Sequence, residues 1–291
     1  MSMNASTADA GTGIPDARNP PGGALPSSED PSPGATDGAT ALRSRHDAVR
    51  DRIAAAARAH GRAPDGVVLL AVSKTFDADA VLALAACGQR DFGENYLQEA
   101  LPKMAAVRDR WPTAASGRSD PADPRAAAPA DGPLWHFIGP IQSNKTRPIA
   151  EGFDWVHSVD RDKVARRLSE QRPEGAPPLQ VCIQVDVSGE ATKSGCDPDE
   201  AVELGRLVAT LPRLRLRGVM AIPAPLDEPA AQRAQFARVR AVYERMRDAG
   251  LPVDTLSMGM SGDLEAAVAE GATIVRVGTA LFGERAGKRA L

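Results

Sequence analysis

Apolar residues fall along this chain in two alternating rhythms. Short, almost wholly apolar runs, of which Val67 to Val72 is the clearest, give way to stretches in which apolar positions recur every three or four residues. The first rhythm belongs to strands buried on both faces, the second to amphipathic helices. Leu42, Val49, Ile53 and Ala57 share one face of a helix predicted over 41–60. Strand one covers 67–74, and further strands are predicted at 91–93, 134–139, 155–159, 179–187, 216–222, 255–258 and 273–277. Between them the helical pattern returns at 77–86, 98–108, 143–150, 161–171, 199–211, 229–249 and 263–270. Asp77 and Asp160 stand where a helix N-cap wants a side-chain acceptor.

Strands and helices in this alternation close into a single (β/α)8 TIM-type barrel, here with an extra N-terminal helix. The competing arrangement is an open doubly wound sheet, and its dinucleotide-binding form is weakened by the lack of a GxGxxG after strand one. Two segments interrupt the pattern. Residues 1–40 are rich in Pro, Gly, Ser, Ala and Asp without apolar periodicity, which predicts a disordered N-terminal extension. Residues 113–132 read the same way and predict a flexible surface insertion within a barrel domain at 41–291. That insertion joins a helix to the following strand, so it belongs on the face of the barrel opposite any site.

Composition narrows the classes of function. With 291 residues, 43% of them hydrophobic, the chain can bury a sizeable core. A net charge of −3 offers no overall attraction for nucleic acid or an anionic membrane. Cys87, Cys182 and Cys196 lie far apart, with neither metal-ligand spacing nor a disulfide framework. No apolar stretch is long enough to span a membrane, and no secretory signal is visible. The expected location is the cytoplasm.

Function in such a barrel sits at the C-terminal ends of the strands. Strand one ends in Lys74, one of only six lysines, the others being Lys103, Lys145, Lys163, Lys193 and Lys288. A lysine there either snorkels to water or is partly buried as a neutral amine, the form that attacks carbonyls. The loops after strands seven and eight bring Gly259 with Ser261 and Gly278 with Thr279. Glycines let backbone N–H groups approach an anion, and these are the loops that hold phosphate in many barrels, although the same residues also serve as helix caps. An amine on one side of the mouth and an anion site on the other suit pyridoxal phosphate. Arg276, near the end of strand eight, is the candidate partner for its pyridine nitrogen or else half of a structural ion pair.

The runs LLAVSKT, FGENYLQE, WHFIGPIQSNK, KSG, RGVMAIPAP and LSMGMSGDLEAAVAEGATIVRVGTALFG resemble the pyridoxal phosphate homeostasis protein family, in the right order from about Leu69 to Glu284. The resemblance implies one barrel similar to the N-terminal domain of bacterial alanine racemase. It implies pyridoxal 5'-phosphate held as a Schiff base on Lys74, with Ser261, Gly278 and Thr279 at the phosphate and Arg276 at the ring nitrogen. Asn95 and His136 occupy motif positions that surround the cofactor. Lys193 falls on a loop over the mouth, as an aid to cofactor exchange or as a solvated loop lysine. The N-terminal extension and the 113–132 insertion depart from the family pattern.

Three functions compete on this reading. The first is a monomeric handling protein that buffers pyridoxal phosphate and delivers it to apo-enzymes. The second is a pyridoxal phosphate-dependent amino-acid racemase, which needs an acid/base on each face of the substrate α-carbon. Only Tyr96 and Tyr243 are available as the second tyrosine-type group, and no second domain follows Glu284. The third is a barrel for another phosphorylated metabolite, in which Lys74 is incidental.

Overall fold

A computed structural model describes residues 33–111, 132–188 and 194–283. The eight strands are β1 (Val68–Val72), β2 (Asp91–Glu94), β3 (Leu134–Phe137), β4 (Trp155–Val159), β5 (Leu179–Gln184), β6 (Leu214–Met220), β7 (Thr255–Ser257) and β8 (Ile274–Val277). They form a closed parallel barrel in chain order, with β8 pairing back onto β1. The helices are α1 (Pro33–Ala59), α2 (Ala78–Ala85), α3 (Leu97–Arg110), α4 (Thr146–Gly152), α5 (Asp162–Gln171), α6 (Ala201–Thr210), α7 (Pro229–Asp248), α8 (Leu264–Ala269) and α9 (Thr279–Phe282). A 3-10 turn, Ser143–Lys145, precedes α4.

The two apolar layers follow from the period of two along each strand. Leu70 and Val72 of β1 turn into the barrel, where they join Ile138, Trp155, Cys182, Met220 and Ile274. Leu69 and Ala71 turn outward into the larger core between strands and helices. Both faces are therefore apolar, which is why β1 reads as a continuous run.

Two expectations shift. The first helix begins at Pro33, inside the segment expected to be an extension. Proline suits a first helical position, where its missing N–H has no partner to lose. Residues 1–32 and 112–131, the rest of the two interrupting segments but for Gly132, lie outside the described residues, as does Lys193. Asp77 caps α2 as predicted, its Oδ1 accepting from Ala80 N at 2.9 Å. Asp160 does not cap α5: the N-cap is Arg161, and the Asp160 carboxylate pairs with the Arg161 guanidinium instead.

At β6 the pairing with β5 slips between Val181–Leu216 and Cys182–Gly218, leaving Arg217 as the extra residue. Gly218 has φ +151°, and a Cβ there would lie 1.9 Å from Thr255 O of the next strand. Only glycine lets the strands close at that point.

α1 lies against α8 and α9, the two helices that follow the last two strands. Its side chains hold the loops there. Arg45 Nε donates to Leu281 O (2.7 Å), and Arg52 donates to Ser261 O (3.1 Å) and to both carboxylate oxygens of Glu265.

Candidate functional site

A cavity of about 250 Å³ opens at the C-terminal end of the barrel, where β1, β7 and β8 finish. Its lining includes Lys74, Ser261, Arg276, Gly278 and Thr279, five residues that the sequence separates by as many as 205 positions. Val72, Phe76, Met260, Gly262 and Gly283 complete it.

Lys74 follows β1 by two residues and is half-buried. The chain turns sharply just after it. Phe76 N donates to Ser73 O at 3.1 Å, and Thr75 takes φ +70°. A β-branched residue in the left-handed region is an unusual, strained choice, of the kind found beside functional groups. Ser73 itself is clamped. Its hydroxyl donates to Glu94 Oε1 (2.6 Å), while Lys103 Nζ donates to Ser73 O (2.8 Å) and to Glu94 Oε1 (2.7 Å). All three residues are buried. Burial raises the Glu94 pKa, and Lys103 pulls it back. The backbone at Lys74 thus rests on a buried ion pair.

The opposite wall is made of two short loops. In the first, Gly259 (φ +92°) leads to Met260, whose N–H donates to Asp263 Oδ1 across a tight turn. Ser261 Oγ accepts from Ala280 N at 3.4 Å, which ties this loop to the second. In the second, Gly278 is the N-cap of α9, and Thr279 begins it. A Cβ on Gly278 would lie 3.3 Å from Val72 O, so the bare glycine keeps the loop against β1.

Arg276 enters from the barrel interior and is only 3% exposed. Nη1 donates to Ser257 Oγ (2.9 Å) and Nη2 to Ala221 O (2.8 Å). Burial lowers its pKa to about 10, with Asp263 and Cys182 opposing the shift. It remains cationic at neutral pH, without a carboxylate in direct contact among the described residues.

Asn95 and His136 lie off the cavity lining. Asn95 follows β2, and its buried Oδ1 finds no partner among the described residues. His136 is buried on β3, stacked on Trp155, with Nε2 at 3.1 Å from Asp91 Oδ1 and Nδ1 at 2.9 Å from His157 Nε2. His157 Nδ1 in turn meets Ser257 Oγ at 2.8 Å. His157 and Ser257, which reach Arg276 directly or through one link, were not among the expected site residues. For His157 the signal was a polar side chain two positions from the inward-facing Trp155 in an otherwise buried strand; Ser257 follows the polar Thr255 and carried no such signal.

The donor set suits a phosphorylated aldehyde with an aromatic ring. It offers an amine, glycine-lined loops with two hydroxyls, and a buried guanidinium at the floor. Phe76, stacked on Phe282 at 4.5 Å, gives one apolar wall.

Comparison with known proteins gives the same picture. Residues 45–286 match the family model of the alanine racemase N-terminal domain. The pyridoxal phosphate homeostasis protein of Pseudomonas aeruginosa is 60% identical over 238 residues, covering 81% of this chain and 93% of that protein. Its Escherichia coli namesake is 47% identical over 237 residues, covering 81% and 94%. Among solved structures, PipY of Synechococcus elongatus with PLP bound aligns at TM-score 0.67 and 35% identity, covering 83% of this chain and all of that one. Alanine racemase of Clostridium difficile, at 14% identity and TM-score 0.61, shares the fold.

Proposed function

This chain belongs to the pyridoxal phosphate homeostasis proteins, built on the alanine racemase N-terminal domain, and on that premise we propose that it holds pyridoxal 5'-phosphate reversibly at the barrel mouth, buffering it and delivering it to apo-enzymes. The observation that carries this reading is that Lys74, Arg276 and the Ser261, Gly278 and Thr279 loops line one cavity. When bound, the cofactor supplies an aldehyde that condenses with an amine and a ring that withdraws electrons. Lys74 is the amine in this reading. Ser261, Gly278 and Thr279 receive the phosphate. Arg276 faces the ring nitrogen as a permanent donor, which disfavours protonation there and keeps the ring a weak electron sink. Asn95 and His136 belong to the surroundings of the site, His136 acting at a distance.

Holding is favoured over racemisation by what the cavity lacks among the described residues. Tyr243 lies on α7 and donates to Val253 O at 3.3 Å, and Tyr96 is exposed after β2; neither lines the cavity. No tyrosine therefore stands across from Lys74 to move a proton on the second face of a substrate. In this reading the protein acts as a monomer. Tyr96, Ile222, Leu226 and Met260 are exposed apolar side chains following β2, β6 and β7 at the mouth end, a suitable surface for a recipient enzyme. No helix among the described residues is long and apolar enough to cross a membrane. The free Cys182 and Cys196 thiols, pushed up to about 12 by burial, fit a reducing cytoplasm without needing it.

The experiment is the visible spectrum of the purified protein with pyridoxal phosphate, followed by borohydride reduction and peptide mapping. The expected result is an absorbing adduct fixed on Lys74 and lost in Lys74→Ala. No adduct in the wild type would leave a phosphate-binding barrel of another kind. Robust turnover of an amino acid, abolished in Lys74→Ala, would restore the racemase reading.

A further inference from the structure

A continuous chain of hydrogen bonds crosses the barrel interior beneath the cavity. It runs from Arg276 on β8 to Ser257 on β7 (2.9 Å), to His157 on β4 (2.8 Å), to His136 on β3 (2.9 Å) and to Asp91 on β2 (3.1 Å). The four members other than Asp91 are at most 3% exposed.

Donor and acceptor counting gives this chain one direction when both imidazoles are neutral. An Asp91 carboxylate offers only acceptors, so His136 donates from Nε2. His136 Nδ1 is then an acceptor, and His157 donates to it from Nε2. His157 Nδ1 is an acceptor in turn, and the Ser257 hydroxyl donates its only proton there. The Ser257 lone pairs are left for Arg276, which can only donate. Every proton is assigned, and every hydrogen bond points from the cavity floor toward Asp91. Burial, with His136 and Arg276 acting in the same direction, holds His157 well below the usual imidazole range. The opposite order, with His157 donating to Ser257, would leave the serine proton competing with the guanidinium for the same space.

We propose that His157, together with Ser257, His136 and Asp91, is a positioning relay that commits the Ser257 proton away from Arg276 and so fixes the guanidinium as a cationic donor at the floor of the site. Ala221 O holds the second guanidinium nitrogen, and Ser257 decides whether the first stays in place. The inference rests on the cofactor reading above. A guanidinium fixed in this way keeps the ring nitrogen of the bound group unprotonated.

The test is ¹⁵N NMR of histidine-labelled cofactor-free protein at neutral pH, with His136→Gln and His157→Gln used to assign the two rings. Both are expected as neutral Nε2–H tautomers; an Nδ1–H on either would overturn the relay. Asp91→Ala is expected to shift the tautomer balance of His157, two links away, and an unmoved His157 would count against transmission along the chain. Ser257→Ala is expected to weaken pyridoxal phosphate binding roughly tenfold, the scale of one hydrogen bond to a charged group, and to move the absorption maximum of the adduct. Wild-type affinity and spectrum in Ser257→Ala would also sink the proposal. Should the wild type form no adduct at all, the cofactor reading falls, and the tautomers alone still judge the relay.

Discussion

His157 shows most clearly how one residue's surroundings become a property of the whole protein. Its depressed pKa means that the unfolded chain takes up a proton before the folded one does. Its contribution is therefore complete above the unfolded value of about 6.5 and falls as pH drops below it, toward the lower folded value. The loss has a limiting slope of about 1.4 kcal/mol per pH unit. Denaturant unfolding of wild type and His157→Gln between pH 7.5 and 5 should show the wild type losing stability faster below pH 6.5; parallel curves would place the acid sensitivity elsewhere. Comparing the two proteins isolates this effect from Glu94, Asp154, Asp160 and Asp263, whose pKa values burial raises and which pull the opposite way. Lys74 makes the complementary point. The chemistry proposed for it depends on a turn held by Ser73, Glu94 and Lys103, none of which lines the cavity.

At the scale of elements, α1 is more than an addition to the barrel. Leu42, Val49, Ile53 and Ala57 are buried in the core between strands and helices, as their spacing predicts. Its polar face is also engaged. Arg52 spans from α1 to Ser261 O and Glu265, and Arg45 reaches Leu281 O, so the helix braces both loops of the proposed phosphate site. Arg52→Ala should weaken pyridoxal phosphate binding by about two- to fivefold, on the scale of a partly exposed ion-pair contact, while leaving the adduct spectrum unchanged. Titration by fluorescence quenching would measure it, and wild-type affinity would limit α1 to stability. Helix boundaries were read from the sequence to within a few residues, except at the start of α1, which lies eight residues before the expected one. The Asp160 carboxylate pairs with Arg161, and the helix begins one residue later than a cap at Asp160 would place it.

Across the whole molecule, closure of the sheet separates the site from the two ends of the segment between α3 and β3. Trp111 ends α3 and Gly132 precedes β3, so both ends of the segment between them lie at the N-terminal end of the barrel strands. The cavity lies at the other end. Replacing 113–131 with a short Gly/Ser linker should leave the adduct spectrum and cofactor affinity unchanged. A loss of binding in a folded protein, checked by circular dichroism, would tie that segment to the mouth.

The alternation of strand and helix, the barrel and a mouth at the strand ends were legible from the chain, as were Lys74, Ser261, Arg276, Gly278 and Thr279 as residues brought to one cavity. Each rests on local signals: a period of two or of 3.6, glycines after strands, and a lysine closing an apolar run. The relay through Asp91, His136, His157, Ser257 and Arg276 was not, because its members lie on five strands and meet only when the sheet closes. A single buried histidine in a sequence carries no direction. Direction comes from which donor and which acceptor lie on either side of it, and only the closed barrel brings those neighbours within 3.1 Å of one another. The sequence by itself therefore determined the architecture and the groups at the mouth, through periodicity and local chemistry. Tertiary structure decided how the groups beneath them are oriented, because that depends on contacts between strands far apart in the chain.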